Sequence, residues 1–163
     1  NRGAVWVAAG RADEGRRMTI IAWDGKTLAA DKAGANCGYR RTVTKIFRVP
    51  DGLVGFAGDG SRALALLEWF KKGRDPAMWP KFQEDADTAV GCMFIANDGQ
   101  NYGYHLTPYP ERSQDRFDAI GSGRDYALAA MYLGHGARRA VEVASALDNG
   151  CGNGIDVLTL EAA

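Results

Sequence analysis

The chain has little of the usual catalytic equipment. Its two histidines, His105 and His135, have no His, Cys or carboxylate partner at metal-ligand spacing, which argues against a zinc site. A histidine-dependent triad is poorly supplied with bases. Gly121-Ser122-Gly123 stands between an expected strand and an expected helix, but lacks the full phosphate-loop or dinucleotide pattern. Gly58-Asp59-Gly60-Ser61 is equally unspecific. One nucleophilic arrangement needs no histidine. A threonine at a chain terminus can use its own α-amine, of pKa about 7.7–8.0, as the base for its hydroxyl. That chemistry wants a threonine just after a removable methionine, on an edge strand. It also wants a cation to keep the amine neutral and N–H donors for the oxyanion. Met18-Thr19 meets the first demand, and Lys45 and Asp31 could supply a buried cation–carboxylate pair beside it.

The elements that must position these residues read as short β units. Thr19 to Trp23 is a β-branched apolar run, Asp24-Gly25 is a hairpin signal, and Thr27 to Ala30 returns as a second strand ending at Asp31. A Gly- and Ala-rich loop, 34–38, leads to a strand over 42–49. Pro50-Asp51-Gly52 turns the chain into a largely buried strand, 53–58. Apolar residues at 63, 66, 67 and 70 then switch to helical spacing, which Gly73 ends. Residues 74–86 read as irregular. A second hairpin joins 90–96 to 102–106 through Asn97-Asp98-Gly99, and 107–115 reads as a polar loop. A strand over 117–120, helices over 124–133 and 137–147, and a strand over 155–160 complete the order. Hairpins dominate and βαβ alternation is absent, which indicates an α+β fold with antiparallel sheets.

Five segments in this order resemble the proteasome β-type family of N-terminal-nucleophile hydrolases, especially the bacterial HslV peptidase and short phage-borne or bacterial relatives. They are Met18-Thr19-Ile20-Ile21-Ala22, Leu28-Ala29-Ala30-Asp31, Val43-Thr44-Lys45-Ile46, Gly55-Phe56-Ala57-Gly58, and Ala119-Ile120-Gly121-Ser122-Gly123 with Tyr126-Ala127. The resemblance spans residues 18–161. It implies a four-layer αββα sandwich over 18–163, preceded by an extension over 1–17. It also implies a threonine-type endopeptidase. Thr19 matches the nucleophile, Lys45 the lysine that tunes its amine, and Asp31 the aspartate that positions the lysine. Gly58 matches the oxyanion glycine, and Ser122 and Asp148 match the pair around the amine. Phe56 falls at a wall of the substrate pocket, with Ala35 and Gly60 as further substrate-binding positions. Cys151 stands where many relatives have Ser or Thr, and Asn153 where glycine is common. The partners implied are a peptide or unfolded protein substrate, a homo-oligomeric ring of this chain, and an AAA+ unfoldase. No metal and no cofactor are implied.

Each residue also has an ordinary reading. Thr19 and Lys45 are typical strand residues, Asp31 a turn residue, Phe56 a core residue, Ser122 a helix cap, and Asp148 a polar helix end. Two rival functions stay open beside the peptidase: a non-catalytic ring subunit of the same fold, and an amidase acting on small molecules.

Composition narrows the rest. The 163 residues suit one domain. The 21 glycines follow no G-X-Y period, so they point to tight turns rather than a fibrous chain. Twenty Lys+Arg balance twenty Asp+Glu, so nothing here favours nucleic acid or an anionic membrane, both of which need clustered positive charge, and neither is expected as a partner. Cys37, Cys92 and Cys151 are widely spaced and odd in number, which favours a reducing, cytoplasmic setting. Residues 3–9 are too short an apolar run for a secretory leader, and charged residues follow them. The upstream stretch shows no period, so translation is expected to begin at Met18, with 1–17 an over-extended reading or a remnant; a propeptide is the alternative. Part of the apolar supply of the first long helix (Leu64, Leu67, Trp69, Phe70), or the helix near Tyr126–Leu133, is expected to pack against neighbouring subunits.

Overall fold

The computed structural model describes residues 19–36, 39–82 and 90–160; the extension 1–17 lies outside them. Alternation along the first strand sets the architecture. In β1 (Ile21–Trp23), Ile21 and Trp23 point to one face, while Ala22 and the preceding Ile20 point to the other. Both faces are buried, so a layer must cover each. β1 pairs antiparallel with β2 (Thr27–Asp31) through the Asp24-Gly25 turn. β10 (Asp118–Ile120) and β11 (Ile155–Thr159) flank this pair, giving the order β10-β1-β2-β11.

A second antiparallel sheet runs β5-β6-β7-β8-β9, from β5 (Ile46–Val49), β6 (Gly52–Gly58), β7 (Val90–Ala96), β8 (Asn101–Tyr104) and β9 (Glu111–Ser113). Ile21, Trp23, Leu28 and Ala30 of the first sheet meet Ile46, Leu53, Met93 and Ile95 of the second as the central core. The outer face of the first sheet is covered by α2 (Arg124–Tyr132) and α3 (Ala137–Leu147). The outer face of the second is covered by α1 (Gly60–Lys71), where Phe56, Trp69, Phe70, Phe94 and Tyr104 form an aromatic cluster. The layers therefore run helix, sheet, sheet, helix. This is the four-layer αββα sandwich. No described helix is long and apolar enough to cross a membrane.

Several local expectations fail for physical reasons. The region expected as a Gly- and Ala-rich loop holds a two-stranded hairpin, β3 (Ala33–Asn36) and β4 (Tyr39–Thr42). All four residues of β4 are exposed, so no hydrophobic alternation announces it. The strand expected over 42–49 begins only at Ile46, because residues 43–45 leave the ladder. The polar stretch 107–115 contains β9, an edge strand of Glu, Arg and Ser. Of the helix residues expected to meet neighbours, Leu67, Trp69 and Phe70 are buried within this chain. Leu64, Tyr126, Tyr132 and Leu133 are the exposed ones.

Candidate active site

Thr19 sits two residues before β1, and Asp31 closes β2. The Asp31 N–H donates to the Ile20 carbonyl at 3.2 Å, which sets the two residues side by side at one end of the first sheet. Lys45 comes from the other layer. It immediately precedes β5, and its carbonyl accepts from the Phe56 N–H at 3.0 Å. The site therefore straddles the end of the sandwich, where the two sheets face each other.

Lys45 Nζ donates to Asp31 Oδ1 at 2.7 Å and to Thr19 Oγ1 at 3.0 Å. All three side chains are buried: Asp31 is 0% exposed, Thr19 5% and Lys45 8%. Burying a charge is costly unless it is paired and hydrogen-bonded. Asp31 meets that condition fully. Its Oδ1 also accepts from the Ile20 N–H at 3.0 Å, and its Oδ2 accepts from the N–H groups of Ala33 and Gly152 at 3.2 and 3.0 Å. Burial lowers the pKa of Lys45 below the ordinary lysine value, and the Asp31 carboxylate opposes that shift.

A second chain of hydrogen bonds reaches the Thr19 nitrogen. The Thr19 N–H donates to Ser122 Oγ at 3.3 Å, and Ser122 Oγ donates to Asp148 Oδ2 at 2.8 Å. Asp148 is the residue that ends α3, and the Gly150 N–H donates to its Oδ1 at 2.9 Å. Ser122 does not cap α2: Gly123 holds the cap position without a side-chain bond. Cys151, buried beside Ser122, has its thiol pKa pushed up to about 12, first by burial and then by the Asp31 and Asp148 carboxylates. Asn153 adopts φ +60°, a left-handed conformation that asparagine tolerates better than most residues and glycine best.

Beside Thr19 lies a cavity of about 410 Å³, lined by Lys45, Phe47, Phe56, Gly58, Gly60 and Leu64 among others. Phe56 is both pocket wall and core, since its ring contacts Phe47 and Phe70. Ala33 and Gly34 also line the cavity. Ala35 lies on β3, and its side chain falls outside the described residues. Gly58 closes β6 at the cavity with φ +126°.

The structure thus brings Thr19, Asp31, Lys45, Ser122 and Asp148 into one network, with Gly58, Phe56 and Gly60 on the adjoining cavity. Sequence reading missed Gly152 and Ala33, which act through their backbone N–H groups, and gave Gly121 no role of its own although it stands in a quoted segment. Only the glycine density of 150–154 hinted at the first.

Neither the models of known protein families nor the curated proteins gave a match to this sequence. Solved structures did. The chain is similar to BPH of Thiobacillus denitrificans, a bacterial proteasome homologue, with 21% identity, a TM-score of 0.65, and coverage of 90% of this chain and 100% of that one. A structure of that protein in complex with epoxomicin matches at 21% identity and TM-score 0.63, over 89% of this chain and 100% of that one. HslV from Trypanosoma brucei matches at 19% identity and TM-score 0.64, over 88% and 99%. By layer order and by these likenesses, the chain has the four-layer αββα fold seen in the Thiobacillus protein and in the trypanosomal HslV.

Proposed function

We propose that the chain is a threonine-type endopeptidase whose nucleophile is Thr19, acting once residues 1–18 are removed. The observation that carries this reading is the contact of Lys45 Nζ with Thr19 Oγ1 at 3.0 Å, inside a buried ion pair with Asp31. Asp31 needs the lysine as its counter-charge, but the further hydrogen bond from that lysine to a threonine hydroxyl, with both groups nearly sealed from water, is not required by the ion pair and suits a reactive hydroxyl.

Removal of Met18 turns the Thr19 nitrogen from an amide into an α-amine beside Ser122. The amine takes the proton from Oγ1 as the oxygen attacks the scissile carbonyl carbon. The Gly58 N–H serves the oxyanion of the tetrahedral intermediate. The amine's proton then passes to the leaving nitrogen as the C–N bond breaks, leaving an ester on Thr19. Water, deprotonated by the same amine, hydrolyses that ester and restores the hydroxyl. The positive charge on Lys45 disfavours protonation of the amine, and Asp31 favours the charged form of Lys45. The peptide or unfolded protein substrate lies in the cavity lined by Phe56. A homo-oligomeric ring, fed by an AAA+ unfoldase, would restrict access to that cavity.

The test uses epoxomicin as the probe, since a protein of the same fold is known in complex with it. Intact-mass measurement of the purified protein should show a chain starting at Thr19 that gains one inhibitor mass. Thr19→Ala should gain none and cleave no peptide. An active chain that keeps Asn1 would sink the free-amine mechanism.

A further inference from the structure

Asp24, in the turn between β1 and β2, holds two distant parts of the chain at once. Its Oδ1 accepts from the N–H groups of Lys26 and Thr27, at 2.9 and 2.7 Å, and so closes the hairpin turn. Its Oδ2 accepts from the N–H of Ala137, the first residue of α3, at 2.7 Å. A helix start leaves several N–H groups without partners, and a side chain at the residue just before the helix usually serves one. Gly136 holds that place in α3 and provides no side chain. The missing acceptor comes instead from 113 residues away. The two are closely packed: a Cβ on Gly136 would stand 3.1 Å from Asp24 Oδ2, so a side chain there needs that carboxylate to give by a few tenths of an ångström.

The opposite end of the same helix is Asp148, which accepts from Ser122, which in turn accepts from Thr19. Between the two ends, α3 rests on β1, β2 and α2 through Ala137, Ala140, Val141 and Ala144, all fully buried. Such short side chains let α3 lie close against its neighbours, while hydrogen bonds to the Asp24 and Asp148 carboxylates anchor its two ends. The axial position of α3 is therefore set at its ends. A helix is stiff along its axis, so a shift at Ala137 is transmitted to Asp148 about 16 Å away, at roughly 1.5 Å per residue.

We propose that Asp24 is a positioning residue for the nucleophile: through α3 it fixes where Asp148 holds Ser122 against the Thr19 nitrogen. This rests on the threonine-hydrolase reading for its catalytic consequence, but the mechanical coupling stands apart from it. The hairpin that caps the helix is the same hairpin whose strands carry Thr19 and Asp31. One carboxylate thus keeps both halves of the site in register.

Asp24→Asn tests this. An amide has a single acceptor oxygen, so it can serve the hairpin or the helix but not both. Hydrogen exchange of the purified protein should show amides 148–152 exchanging about tenfold faster, with those of β7 unchanged, because local opening differs from global loss of stability. Peptide cleavage should fall about tenfold in kcat with KM within about twofold, the pattern of a misplaced reacting group. Adding Gly136→Ser to Asp24→Asn gives α3 a local cap. It should recover thermal stability but neither the exchange protection at 148–152 nor kcat. Unchanged exchange at 148–152 in Asp24→Asn would overturn the proposal, as would full recovery of exchange protection by the local cap. Cleavage that persists in Thr19→Ala would remove the hydrolase reading alone, and the exchange result would still decide the coupling.

Discussion

Gly121 passes so close to Thr19 that a Cβ on it would lie 2.0 Å from the Thr19 carbonyl oxygen. The same carbonyl accepts from the Gly123 N–H at 3.3 Å, and Gly121 itself has φ +105°. Gly121→Ala is therefore expected to cost more than about 1 kcal/mol in unfolding free energy, since alanine meets both a clash and an unfavourable backbone. Urea denaturation checks the stability. The backbone before β1 should shift as well, so peptide cleavage should fall below what the stability loss explains.

Breaking the buried ion pair should be harsher. Lys45→Met leaves Asp31 charged and buried, with backbone donors but no cation. Removal of one partner from such a pair costs about 3–5 kcal/mol. Lys45→Met combined with Asp31→Asn should be more stable than Lys45→Met alone, as a denaturation series on the variants would show. Both should be inactive against peptides.

Activity should decline on the alkaline side as Lys45 loses its proton. Burial lowers the Lys45 pKa from the usual 10.5, so the limb should lie below that value. Asp31 raises the Lys45 pKa, so Asp31→Asn should carry any residual activity's limb to still lower pH. A limb that moves upward in Asp31→Asn would contradict the assigned charge states. The profile of kcat/KM against pH reads this directly.

Cys151 should resist alkylation in the folded protein. It is 3% exposed and its thiol pKa is pushed up to about 12, so the thiolate is scarce at pH 8. Iodoacetamide at that pH should label Cys151 only after denaturation, as peptide mass mapping would show. Rapid labelling of the native protein would mean that the loop around 148–154 opens readily.

Substrate preference should follow the cavity walls. Phe47, Phe56 and Leu64 offer apolar surface next to Thr19, and the rings of Phe47 and Phe70 hold Phe56 in place. Peptides with an apolar residue before the scissile bond should be cleaved faster than those with Asp or Arg there. Phe56→Ala should weaken that discrimination. A fluorogenic peptide panel would measure both effects.

The sequence declared its frame wherever local chemistry was strong. Asp24-Gly25 and Asn97-Asp98-Gly99 marked hairpins that the structure contains, and the spacing of Ala63, Leu66, Leu67 and Phe70 marked α1. It was silent on β4 and β9, because solvent-facing edge residues such as Arg40, Arg41 and Glu111 need no apolar alternation. Thr19, Asp31 and Lys45 drew notice as residues that terminal-threonine chemistry could use, and a family resemblance gave them their roles, since nothing in their spacing places them within hydrogen-bonding distance. The bond of Asp24 to the start of α3 had no sequence signal, and that of Gly152 had only the glycines of 150–154. Each acts through a backbone N–H or a carboxylate whose partner lies more than a hundred residues away.

The four bonds of Asp31 have a consequence for the order of events in a newly made chain. Its carboxylate is satisfied by the start of β1, by β3, by Lys45 at the second sheet, and by Gly152 near the far end of the sequence. No partly folded intermediate that lacks the last thirty residues can complete that set. A carboxylate left partly unsatisfied holds Lys45 poorly, and Thr19 is then an ordinary hydroxyl. With Thr19 as the nucleophile proposed above, reactivity is in this sense the final product of folding: a chain still being synthesised, surrounded by other unfolded chains, would carry a nucleophile that is not yet armed.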